Sequence, residues 1–346
     1  MLRFIFLFLA LIVGILVLNK SDSHDKQKGV SWVAGRTVDS LDFQPLINNH
    51  VNWIVQMPFG WQAAYDQPEI RLATGNRILW GESDSGLVRT TRLAKAWQIK
   101  TLLKPHIWLR GRQSGKWRSD IAMTSESDWN SWFANYRTFI IHYAKLAEAQ
   151  QIEALCIGTE LYETAIQRPL QWRDLIREIR FVYSGKLTYA ANWYKEFEEI
   201  SFWDELDFIG IQAYFPLSTS EKPDLQTLVD GWQQHLKSIE IVQSKFNKPV
   251  IFTEIGYKST ANSTIEPWLW PQGQGDLQES QLDENTQKIA YEAFFEVFWD
   301  TDWFAGVYFW KWYPHYQYIK NHRYFAIDFT PQHKAAELTI REWYSK

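Results

Sequence analysis

The chain has 346 residues, 46% hydrophobic and 22% charged, which supports a large buried core and excludes a disordered protein. A net charge of −4 with scattered basic residues lacks the footprint of a nucleic-acid binder, so nucleic acid is excluded as a partner. A single cysteine, Cys156, excludes an intrachain disulfide, and no Cys/His cluster has zinc spacing.

Residues 1–20 open with Arg3 and an unbroken apolar run, Phe4 to Leu18, shorter than the roughly 20 apolar residues of a full membrane span. This reads as an export signal, either a removed signal peptide or a membrane anchor, since no small-x-small cleavage site precedes Ser21. No cysteine follows to carry a lipid. Residues 21–28 read as a polar linker, and the rest of the chain is expected outside the cytoplasm: secreted, periplasmic or membrane-anchored.

From Gly29 to the C-terminus, apolar β-rich runs alternate with amphipathic helical stretches. The runs are Gly29–Gly35, Trp53–Phe59, Lys100–Trp108, Glu153–Leu161, Lys186–Asn192, Phe208–Phe215, Pro249–Tyr257 and Ala305–Trp312. The clearest helix begins near Ser125 and Ser127 and carries Trp129, Trp132, Phe133, Tyr136, Phe139, Ile140 and Tyr143 on one face. Others are expected at Leu87–Trp97, Leu170–Tyr183, Leu225–Phe246, Asn285–Phe298 and Lys334–Trp343. The pattern predicts a (β/α)8 TIM barrel forming one domain over residues 29–346. A doubly wound open sheet is the alternative, but no Gly-rich phosphate loop follows the first strand.

Two runs end alike, in Ile157-Gly158-Thr159-Glu160 and Phe252-Thr253-Glu254. Barrel enzymes place their chemistry at the C-terminal ends of strands. A period of two puts Cys156, Gly158 and Glu160 on one face, and Val250, Phe252 and Glu254 likewise, so both glutamates are expected to point into the mouth. Strands four and seven lie across the bore, and two facing carboxyl groups suit glycoside hydrolysis: one protonates the leaving oxygen while the other attacks or activates water. The excess of aromatic residues, 20 Trp and 16 Tyr, fits sugar binding, although most such rings fill cores.

The layout resembles the clan A glycoside hydrolases, and Ile157-Gly158-Thr159-Glu160 with Phe252-Thr253-Glu254-Ile255-Gly256-Tyr257 resembles glycoside hydrolase family 113, whose members are retaining β-mannanases. Leu103-Lys104-Pro105-His106 and Gln212-Ala213-Tyr214-Phe215-Pro216-Leu217 also resemble that family. The resemblance implies Glu160 as acid/base, Glu254 as nucleophile and a β-1,4-mannan or related polysaccharide as partner. Many clan members carry Asn before the acid/base, where it contacts the sugar 2-hydroxyl; here it is Thr159, which leaves Asn192 as a candidate for that contact or as a turn residue. Tyr214 is placed to hold the nucleophile, Lys104 and His106 to line the glycone end, and Trp310, or two residues on Trp312, to floor the cleaved sugar. The long connection Lys258 to Leu282, with Trp268 and Trp270, is expected to wall the cleft. Arg110, Arg112, Trp117 and Arg118 read as a solvated basic loop, with sugar binding as the alternative.

No cofactor is implied, because carboxylate chemistry of this kind needs none. Two other functions stay open: a β-glucan or other hemicellulose hydrolase on the same barrel, and an inactive carbohydrate-binding surface protein.

Overall fold

The computed structural model describes residues 26–346 except 73–77, 111–114, 271–280 and 322–323. The expected signal segment therefore lies outside the described residues, among which no helix is long and apolar enough to cross a membrane.

Eight strands, all paired in parallel, close into a barrel: Gln27–Trp32, Trp53–Gln56, Lys100–Leu103, Ala154–Thr159, Lys186–Asn192, Phe208–Gln212, Val250–Ile255 and Phe304–Trp312. Each coincides with one of the eight runs, and the open-sheet alternative is excluded by closure of the first strand on both the second and the eighth. The first strand starts at Gln27, so the expected linker ends two residues earlier than Lys28. Lys26 is already tied in, its amine donating to the carbonyls of Thr301 and Phe304.

The helices sit where the periodicity predicts, and their caps explain where they begin. Ser125 accepts the Asp128 N–H to start Glu126–Ala149, and Asp224 accepts that of Thr227 to start Leu225–Phe246. All seven residues of the expected apolar face of Glu126–Ala149 are buried. The apolar side chains form two layers. One fills the bore and includes Trp53, Val55, Leu102, Cys156, Ile251 and Tyr308; the other lies between strands and helices. The bore is packed so closely that the Tyr308 ring occupies the space a Cβ on Gly29 would need, 2.2 Å away.

Two expected strands are shorter than predicted. Trp53–Phe59 and Lys100–Trp108 break at Pro58 and Pro105, whose missing N–H groups cannot continue a ladder. Beyond the breaks, Phe59–Gln62 pairs with His106–Leu109 on one side and with Ile70–Leu72 on the other, in a small sheet above strands two and three.

Candidate active site

Both glutamates reach the mouth, but not by simple alternation. On strand seven, Ile251 faces the bore while Val250 and Phe252 pack outward, Phe252 stacking on Trp232 at 5.9 Å. A strict period of two would thus send Glu254 out into the helix layer, and the shared face expected for Val250, Phe252 and Glu254 does not exist. A β-bulge corrects the direction: Phe252 pairs with Ile211 and Glu254 with Gln212, so strand seven gains one residue on its neighbour. Strand four carries the same device between Cys156 and Thr159, opposite Thr188 and Ala190. There Cys156 faces the bore, but a Cβ on Gly158 would meet Tyr189 at 2.5 Å and Trp172 at 2.8 Å, in the outer layer. Glu160 follows the strand with φ +51°, its N–H bonded to the Ala190 carbonyl at 2.9 Å.

Around Glu254 the partners are fully buried or hold firm hydrogens. Lys104 crosses the bore from strand three, forms an ion pair with Glu254 Oε1, and also donates to Gln212 Oε1 at 3.2 Å and the Thr253 carbonyl at 3.3 Å. This departs from the expected role: Lys104 is 0% exposed and serves the carboxylate rather than lining a cleft. The Tyr214 hydroxyl donates to Glu254 Oε2 at 2.7 Å. Burial, then the charge and hydrogen bond of Glu254, push that phenol well above its usual pKa, and the charge of Glu160 adds to this.

Glu160 is held by a segment read above as solvated. Trp117 Nε1 donates to Glu160 Oε2 at 3.1 Å, and Arg118 Nη1 lies 3.6 Å from the same oxygen. Arg118 is buried, not solvated, and lies under the Trp117 ring at 4.5 Å. Its guanidinium also donates to His106 Nδ1 at 2.8 Å. Since a guanidinium only donates, His106 must accept at Nδ1 and carry its proton on Nε2. Burial first, and then the charges of Arg118 and Lys104, hold this imidazole well below its usual pKa and so neutral. The Nε2 proton has no partner among the described residues. Arg112 lies outside the described residues.

The aromatic candidates divide. Trp310 is partly buried against the bore layer and meets Trp270 edge to face at 6.1 Å. Trp270 touches Phe329 at 5.5 Å, and Phe329 touches Tyr214 at 6.4 Å, so one aromatic wall runs from Trp310 to the Glu254 partner. Trp268 instead stacks on Trp193 at 5.1 Å beside strand five. Trp312 is 2% exposed in the outer layer, so the ring surface at this strand end belongs to Trp310. Asn192 spends its side-chain oxygen on the Tyr194 N–H at 3.0 Å, the turn role. Among the described residues no group of His, Cys, Asp and Glu is placed to hold a metal ion.

Set beside known proteins, the sequence matches the model of Glycoside Hydrolase Family 113 over residues 25–334. The chain belongs to glycoside hydrolase family 113. The GH113 β-mannanase AaManA from Alicyclobacillus acidocaldarius, in complex with ManMIm, is similar at 25% identity and TM-score 0.77 over 92% of this chain and 97% of that one. A complex of a GH113 β-1,4-mannanase is similar at 25% identity and TM-score 0.75 over 93% and 99%. A β-glucuronidase from Ruminococcus gnavus, at 13% identity and TM-score 0.57 over 92% of this chain and 50% of that one, shares the fold alone. No curated protein sequence is similar at a significant level. The family-113 barrel is a glycoside hydrolase.

Proposed function

We propose that this family-113 glycoside hydrolase cleaves β-1,4-linked mannan chains with retention of configuration, with Glu254 as nucleophile and Glu160 as acid/base. The observation that carries the assignment is the asymmetry of the two carboxyl environments. Glu254 is gripped by the fully buried amine of Lys104 and by the Tyr214 phenol, which burial makes reluctant to ionise, so both of its oxygens are held in fixed positions. Glu160 instead has donors at one oxygen alone, an indole N–H at 3.1 Å and a guanidinium at 3.6 Å, both on Oε2.

In the first step a Glu254 oxygen attacks the anomeric carbon, the bond from that carbon to the glycosidic oxygen breaks, and the Glu160 proton passes to the departing oxygen. In the second, Glu160 takes a proton from water as that water attacks the anomeric carbon and releases Glu254. Arg118 stabilises the Glu160 carboxylate that exists between the steps. Trp310 with Trp270 offers the ring faces on which a pyranose stacks. Mannan as substrate rests on family membership and on the two mannanases similar over almost the whole chain. Export follows from the apolar run Phe4 to Leu18.

The test is a pair of variants. Glu254→Ala is expected to abolish turnover of every substrate. Glu160→Ala is expected to spare aryl glycosides with good leaving groups and to be accelerated by azide, giving a β-glycosyl azide. An α-glycosyl azide from Glu160→Ala, or release of sugar from β-glucan but not from mannan by the wild type, would overturn the mechanistic or the substrate assignment respectively.

A further inference from the structure

Glu196 is a fully buried carboxyl group that the reaction above does not use. Burying a carboxyl costs stability unless it is hydrogen-bonded, so its contacts show what it holds. Tyr189 donates its hydroxyl hydrogen to Glu196 Oε1 at 2.6 Å, and the Asn192 N–H donates to Glu196 Oε2 at 2.6 Å. The Tyr189 oxygen in turn accepts the Leu161 N–H at 2.8 Å. A hydroxyl has one hydrogen, so the bond to Glu196 fixes its direction and leaves the oxygen lone pair aimed at Leu161.

That peptide is the one that follows Glu160. Glu160 sits in the left-handed region, at φ +51°, which a non-glycine residue adopts only where its surroundings hold it. Three contacts from strand five do so: the Ala190 carbonyl on the Glu160 N–H, the Tyr189 hydroxyl on the Leu161 N–H, and the Tyr189 ring against Gly158, where no Cβ fits. We propose that Glu196 and Tyr189 form a positioning relay that sets the pose of Glu160, and so governs proton delivery to the leaving oxygen separately from the Lys104 and Tyr214 apparatus that serves Glu254. The proposal rests on the reading of Glu160 as acid/base. Electrostatics joins the two ends. Burial, opposed by the two hydrogen bonds and reinforced by the charge of Glu160, pushes the Glu196 carboxyl up to about 8.

Positioning of an acid differs from general support of the fold in its dependence on the leaving group. Dinitrophenolate departs without a proton, whereas phenolate and a sugar alkoxide need one. The experiment compares kcat/KM for dinitrophenyl and phenyl β-glycosides of the sugar the wild type prefers, in Tyr189→Phe and Glu196→Gln, with Glu160→Ala in parallel and each variant's melting transition recorded. Both relay variants are expected to lose at least about 10-fold more on the phenyl than on the dinitrophenyl glycoside, since general acid catalysis contributes roughly 100-fold or more. Equal losses on the two substrates, no loss, or failure of both variants to fold would overturn the relay and mark Glu196 as a prop for the turn after strand five. Equal losses in Glu160→Ala would instead sink the acid/base assignment itself.

Discussion

Lys104→Met asks whether Glu254 depends on the ammonium that crosses the bore. The lysine side chain is 0% exposed and that of Glu254 is 6% exposed, and the amine gives hydrogens to Glu254, Gln212 and the Thr253 carbonyl, so all three donors are in use. Methionine keeps the apolar stem and removes every donor. Breaking a buried pair by deleting one partner costs about 3–5 kcal/mol, because the remaining charge is uncompensated. Glu254 can lessen that cost only by taking up a proton, which removes the nucleophile, so stability and activity cannot both survive. Urea denaturation near neutral pH should show a loss of about 3–5 kcal/mol, and kcat/KM should fall by about 100- to 1,000-fold, the scale for removing one preorganised electrostatic contact. Adding Glu254→Gln removes the stranded charge, so the double variant should be more stable than Lys104→Met alone by about 1 kcal/mol or more. A Lys104→Met protein within about 0.5 kcal/mol of wild type and still active would show that Glu254 does not depend on the Lys104 ammonium.

Glu196 makes the fold sensitive to pH. Burial pushes its carboxyl up to about 8 in the fold, against about 4.5 for an ordinary glutamate, so between those values the folded state binds the extra proton. This contribution is therefore complete below pH 4.5 and is lost as pH rises through 8; wild type should weaken by a few kcal/mol between pH 5 and 8, and Glu196→Gln should show a flatter profile in the same urea titrations. A slope unchanged by the substitution would contradict this. Trp310→Ala should lower kcat/KM on oligosaccharides by about 10- to 100-fold, or about 1.4–2.8 kcal/mol, with a cooperative melting transition retained. Loss of the transition would assign Trp310 to the core.

The barrel was legible because parallel strands covered on both faces read as near-continuous apolar runs, and all eight runs became barrel strands. Helix starts were legible through their caps, Ser125 and Asp224 among them. The route by which the glutamates reach the mouth was not. Val250 and Phe252 face the helices, and a bulge leaves no mark in an apolar sequence, so alternation reached the right end of strand seven for the wrong reason. Lys104 did carry a signal: a lysine between Leu103 and Pro105 in a buried run has to find a carboxylate. Arg118 carried none, because the basic loop around it looks like a solvated one until the fold brings it under Trp117 and beside Glu160. Glu196, in the run Glu196-Phe197-Glu198-Glu199, reads as surface charge, and only the Tyr189 hydroxyl distinguishes it.

The central claim, that Glu254 becomes covalently bonded to the sugar while Glu160 moves protons, meets its most direct measurement in a trapping experiment. The wild-type enzyme is incubated with a 2-deoxy-2-fluoro β-mannosyl fluoride, whose fluorine slows both steps while the activated leaving group lets the first proceed, and the peptides are then sequenced by mass spectrometry. One added fluorosugar is expected on the peptide containing Glu254, absent from Glu254→Gln, with carboxyl groups about 5–5.5 Å apart in the crystal of the adduct. A label on Glu160, or no label together with a first product of inverted configuration from the natural substrate, would contradict it.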